Sequence, residues 1–125
     1  MGQPHMGSVA VQEAGGATVL VLRGEHDLAT VPLVEDALGR ARSGAPIVVD
    51  LTDVGFIDSS IISVLVRYSR PEDSCRAWSQ LAVVVPEEGF IRKLLVLVGM
   101  DRIVPVFSRV GDALAAMEPV SDAQP

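Results

Sequence analysis

Two short apolar runs, "PIVVDL" at 46–51 and "LAVVV" at 81–85, constrain this chain more than any other feature. Both are almost unbroken in aliphatic side chains, where a half-buried strand would alternate apolar with polar residues. A strand of that kind has two apolar faces to hide, as in a parallel sheet covered by helices. Parallel neighbours cannot be joined by a tight turn; they need a crossover of about a dozen residues or more, usually a helix. The intervening stretch holds such a helix, predicted from about Ser59 to Ser69, with Ile62, Leu65, Val66 and Ser69 on one face and Ile61, Val64 and Tyr68 beside it.

The flanking segments extend the pattern. "SVAVQE" and "ATVLVLRG" read as two strands, and Gly15-Gly16 between them suits a tight hairpin, because glycine tolerates positive φ. A helix is predicted from Val31 to about Arg42, with Leu33, Ala37, Leu38 and Ala41 inward, Thr30 as N-cap and Glu35 and Asp36 near its positive end. Pro71 ends the second helix, and "RPEDSCRAWSQ" reads as a polar surface loop, in which Trp78 is taken as a core plug. "PEEGFIRKLLVLVGM" reads as a helix from Pro86 to Gly99, "RIVPVF" as a last strand held to an edge by Pro105, and "VGDALAAM" as a closing helix. The order β-β-α-β-α-β-α-β-α predicts one α/β domain: a mostly parallel mixed sheet of about five strands, an N-terminal antiparallel hairpin and four helices. The domain is expected over 8–118, with tails at 1–7 and 119–125.

Composition narrows the function. The formal net charge is −6, and no cluster of Lys or Arg occurs, which argues against nucleic acid and anionic membranes and favours docking on a basic surface. Cys75 is the single cysteine, so no internal disulfide can form, and a cytoplasmic location is expected. No run approaches the ~20 apolar residues of a membrane helix, so direct membrane insertion is not expected. Glu25, His26 and Asp27 are consecutive on a strand end and cannot all face one ion; they read as solvated charges, and no metal or other cofactor is expected. A serine hydrolase would need a base beside its nucleophile, and neither G-x-S-x-G nor a P-loop motif occurs, so the chain is not expected to be an enzyme.

One segment holds more polar groups than folding needs. Asp58, Ser59 and Ser60 stand between the apolar "FI" and the second helix, beyond the carboxyl end of a central strand, where functional groups of open α/β sheets gather. Capping explains one of them, since Asp or Ser can accept from the free N–H groups of the first turn; Ser59 is expected to start the helix. A serine there is also a favourable phosphate site, because those N–H groups and the helix dipole stabilise an anion.

"VVDLTDVGFIDSSIISVL" resembles the signature of the STAS domain of anti-sigma factor antagonists, in which an apolar strand runs into Asp-Ser-Ser and an apolar helix. "LRGEHDLAT" is similar to that family's "GELDLAT" segment, with His26 where Leu is usual, and the stretch from Gly89 to Met117 is similar to its C-terminal third. The resemblance implies partner switching. The unmodified protein binds an anti-sigma factor that is also a serine kinase, a sigma factor is freed, phosphorylation of a serine releases the partner, and a serine phosphatase resets the switch. Carried over by position, Ser60 is the phosphorylated residue, Ser59 less so. Glu25, Asp27, Asp58, Ser59, Ser60, Ile61 and Ile62 form the partner-binding surface. Ile61 stands where the family usually has Gly, and a β-branched side chain there would narrow the approach to the serines. The alternative it favours is a non-phosphorylated accessory subunit of a membrane transport complex or a stress-signalling scaffold. Ile61 and Val64 are expected at the surface.

Overall fold

The computed structural model describes residues 7–41, 45–69 and 80–117. Five strands, β1 (Ser8–Ala14), β2 (Ala17–His26), β3 (Ile47–Ile57), β4 (Leu81–Val84) and β5 (Val106–Phe107), form one sheet in the order β1-β2-β3-β4-β5. β1 and β2 are antiparallel, and all later pairs are parallel. Gly15 and Gly16 close the hairpin with φ of 59° and 87°, the pair of positive values that a tight primed turn needs.

The helices are α1 (Val31–Gly39), α2 (Ser59–Ser69), α3 (Phe90–Leu97) and α4 (Val110–Ala116). The first three pack on one face of the sheet. There Val34 and Leu38 of α1, Ile61 and Leu65 of α2, and Ile91 and Leu95 of α3 meet Leu20, Ile47, Val49 and Leu51. α4 covers the other face, placing Ala113, with Met117 just beyond it, against Val19, Val48 and Val84. The consecutive residues Val48 and Val49 thus serve opposite cores, which is why "PIVVDL" is apolar throughout. Pro105 immediately precedes the edge strand, and its carbonyl accepts from Val83 N–H at 3.0 Å, so the ring blocks no ladder bond.

Several elements differ from the sequence reading. Ala37, Leu38 and Ala41 turn inward as expected, but in the first turn of α1 it is Val34 that is buried, and Leu33 is exposed. Thr30 makes no side-chain cap for α1, and Glu35 is paired with Arg67 of α2 rather than stationed at the helix start. α3 begins at Phe90 instead of Pro86, after Gly89 at φ 123°, and β5 is only two residues long. The whole of 70–79, including Cys75 and Trp78, lies outside the described residues.

The difference with most consequence is in β3. It does not stop at Leu51 but continues through "TDVGFI" to Ile57, pairing with a β2 that runs on to His26. β4 accompanies it only as far as Asp50. Two register shifts, between Val21 and Arg23 and between Gly24 and Glu25, each give β3 one extra residue. Such bulges bend a strand and re-aim its side chains.

Candidate functional site

The β2–β3 extension joins the two polar motifs. Glu25 pairs with Phe56 and His26 with Ile57, so the segment Glu25–Thr30 lies beside Asp58, Ser59 and Ser60 although about thirty positions separate them.

At the start of α2 the cap is Asp58. Its Oδ1 accepts from Ser60 N–H at 2.9 Å and, more weakly, from Ile61 N–H at 3.4 Å, while its carbonyl receives Ile62 N–H at 3.2 Å. One carboxylate therefore satisfies the donors that a cap must satisfy. Ser59 is the first helical residue and is exposed; Ser60 is the second and is half-buried. Neither hydroxyl holds a hydrogen bond among the described residues. The capping role expected of Ser59 belongs to Asp58, and both serine hydroxyls are left over.

Ile61 and Val64 are not at the surface. They are 0% and 3% exposed and sit in the main core, and Ile62 is 9% exposed. The helical turn that presents the serines outward points Ile61 inward, so its branched side chain packs beneath the site and does not narrow the approach to it. The pattern "IISVLV" does not reveal this, because it is apolar enough for several choices of inward face.

The second half of the site is built on the end of β2. Asp27 caps a 3-10 turn, Leu28–Thr30, its Oδ1 accepting Ala29 N–H at 2.9 Å. Thr30 answers with Oγ1, which accepts Asp27 N–H at 3.2 Å, completing a capping box. Glu25 and Asp27 are exposed, and Asp53 pairs with Arg23 at 3.5 Å. The rim beside the two free hydroxyls is thus acidic, with Glu25, Asp27 and Asp58 on it. Two apolar side chains that sequence reading did not single out also face solvent here, Leu28 at 71% and Phe56 at 42%. An apolar residue directly after the capping Asp27 was the signal available for Leu28.

His26 departs most from its sequence reading. It is fully buried, not a solvated strand end. Nδ1 lies 3.0 Å from Thr30 Oγ1, and Nε2 lies 3.1 Å from the Arg23 carbonyl. Burial lowers its pKa below the ordinary histidine value, against smaller raising effects from the Arg23 and Ser8 backbone and from Asp27. Among the described residues no group of three or more His, Cys, Asp or Glu could hold a metal ion, and no helix is long and apolar enough to cross a membrane.

The hairpin-led, otherwise parallel sheet and the Asp-capped helix at its edge define a single α/β domain of the SpoIIAA-like class. The chain belongs to the STAS domain family, whose model matches residues 8–113. It is 29% identical over 119 residues to the anti-sigma-F factor antagonist RsfB of Mycobacterium tuberculosis, with 94% of each chain covered. Among solved structures it is similar to an anti-sigma factor antagonist from Mycobacterium paratuberculosis, with a TM-score of 0.76 and 24% identity, covering 94% of this chain and 98% of that one. It is also similar to the anti-sigma factor antagonist SpoIIAA, solved in an unphosphorylated form (TM-score 0.62, 16% identity, 87% and 95% covered) and, from Bacillus, in a phosphorylated form (0.59, 16%, 87% and 98%).

Proposed function

We propose that this chain is an anti-sigma factor antagonist that docks on an anti-sigma factor with serine kinase activity and is released when Ser60 is phosphorylated. The observation that carries this reading is the division of labour at α2: Asp58 performs the cap, so the Ser60 hydroxyl is free for chemistry. The relatives named as antagonists, and the existence of SpoIIAA in both phosphorylation states, support it.

Physical chemistry gives the direction of the switch. Phosphate on Ser60 adds about −1.5 to −2 charge beside the first turn of α2. The N-terminal field of the helix favours an anion there, so the fold should tolerate it. Docking should not, because the dianion would join the acidic rim of Glu25, Asp27 and Asp58 and would have to be desolvated without a matching cation. The unmodified rim suits a basic partner surface, and a serine phosphatase would restore it. In this reading the chain regulates sigma-factor-dependent transcription in the cytoplasm without catalysing a reaction or binding nucleic acid.

Affinity capture of the tagged chain from its host, with mass spectrometry of partners and of Ser59 and Ser60, tests the reading. A kinase-type anti-sigma factor bound to the unmodified chain, with phosphate on Ser60 in the unbound pool, is the expected result. Bare serines in both pools, with transport or scaffold subunits in place of an anti-sigma factor, would overturn it. Ile61 no longer favours that alternative, since its side chain lies in the core.

A further inference from the structure

His26 is a buried titratable group in the wall of the proposed docking rim, and its hydrogen bonds allow only one neutral form. A carbonyl can only accept, so Nε2 carries a proton for the Arg23 carbonyl. In the neutral ring Nδ1 is then bare and accepts from the Thr30 hydroxyl. That hydroxyl has one proton. While it serves His26 it cannot serve the Asp27 carbonyl, which lies 3.1 Å from the same oxygen.

Protonation reverses this arrangement. With Nδ1–H donating to Thr30 Oγ1, the hydroxyl proton turns to the Asp27 carbonyl, and a positive charge appears in a site closed to water. The packing leaves the ring little room to move, since a Cβ at Gly7 would come within 2.5 Å of its Cε1 and Nε2. Of the charged side chains around it, Arg23, Glu25 and Asp27 from β2 and its end, and Asp53 and Asp58 from β3 and the start of α2, Asp27 is the one that acts on the ring. Its carboxylate caps Ala29 at 2.9 Å, and a charged ring would compete with that cap for it.

We propose that His26 is a positioning residue for the docking rim: its link to Thr30 holds the Asp27–Thr30 turn in shape, and a proton on the ring re-aims the Thr30 hydroxyl and loosens the rim's grip on a partner. The inference rests on the docking reading for its consequence but not for its geometry. Linkage gives the sign. The unfolded chain takes up a proton near the ordinary value, about 6.5, before the folded chain does, so the ring's contribution is present above that pH and is lost as pH falls through the lower folded value.

Nuclear magnetic resonance of the whole chain tests it. Ring nitrogen shifts should show bare Nδ1 and protonated Nε2 near neutrality. On acidification the amides of Asp27, Ala29 and Thr30 should follow the ring with one midpoint, while those of Ser60 and Ile61, held by Asp58, stay put. His26→Leu should abolish the response. Thr30→Val, a second variant that keeps the ring, should leave the ring titrating but uncouple the Asp27 and Ala29 amides. Amides that ignore the ring, or that titrate unchanged in both variants, would overturn the proposal, as would acid unfolding before the ring titrates. Affinity for the host's anti-sigma factor should fall about threefold or more between about pH 7.5 and about one pH unit below the ring's measured midpoint in the wild type and stay level in His26→Leu. A pH-independent wild-type affinity overturns the link to docking, whereas no binding at either pH overturns the antagonist reading and leaves the amide titration to judge the pin.

Discussion

Two helices start at the carboxyl ends of the neighbouring parallel strands β3 and β4, and they use their polar groups differently. α2 follows β3 and is capped by a single side chain, Asp58, so the hydroxyls of Ser59 and Ser60 are surplus. α3 follows β4 and has no side-chain cap. There the strongest polar group, Arg92, turns back on the fold: its Nε donates to the Pro86 carbonyl at 2.7 Å, and its Nη2 reaches the Val85 carbonyl and Ser108 Oγ, each at 3.3 Å. At the α3 start the fold consumes Arg92, although Glu87 and Glu88 before it stay exposed; at the α2 start it consumes Asp58 and leaves both serine hydroxyls unused. Position at the edge of a sheet does not by itself mark a helix start as a switch; in the proposed reading the mark at α2 is the pair of serine hydroxyls that the fold does not use.

Substitutions can break that contrast in a graded way. Ile61→Gly restores the residue usual in the family but removes a fully buried side chain from the core and puts glycine in a first turn. It should cost about 3 kcal/mol or more of stability in denaturant melts, while the folded fraction docks as before. Arg92→Ala strips three charge-assisted bonds from the α3 start and should cost about 2 kcal/mol with docking affinity unchanged, so a loss of binding at full stability would erase the distinction. Asp58→Ala should cost only about 1 kcal/mol, the worth of a cap, because an unused serine hydroxyl can turn to the first-turn donors that Asp58 leaves. It should also slow phosphorylation of Ser60, read by phosphate incorporation, since the hydroxyl then has a structural task. An undiminished rate would mean that the division of labour at α2 is not what frees Ser60.

The sheet and its four helices were legible because "PIVVDL" and "LAVVV" are apolar on both faces and the hairpin glycines have no other use. The extension of β3 was not, because Thr52, Asp53 and Gly55 interrupt its apolar pattern and only pairing with β2 makes them strand. The start of α3 was misplaced for a related reason: Pro86, Glu87 and Glu88 suit a first helical turn, yet helix begins only after Gly89. Within the site, the residue types of the serine motif could be read directly, but which of three polar neighbours caps the helix depends on geometry. His26 was least legible of all. Between Glu25 and Asp27 it looks solvated, and its burial follows from Gly7, Arg23 and Thr30 closing around it.

The central claim is that Ser60 can carry a phosphate without harm to the fold and with loss of the partner. The direct measurement installs phosphoserine at position 60 and compares it with the unmodified chain, reading thermal melting and calorimetric affinity for the host's anti-sigma factor. A melting temperature within about 4 °C of the unmodified chain, with affinity lower by about thirtyfold or more, is the predicted result. Unchanged affinity, or a phosphorylated chain that no longer folds, would contradict it.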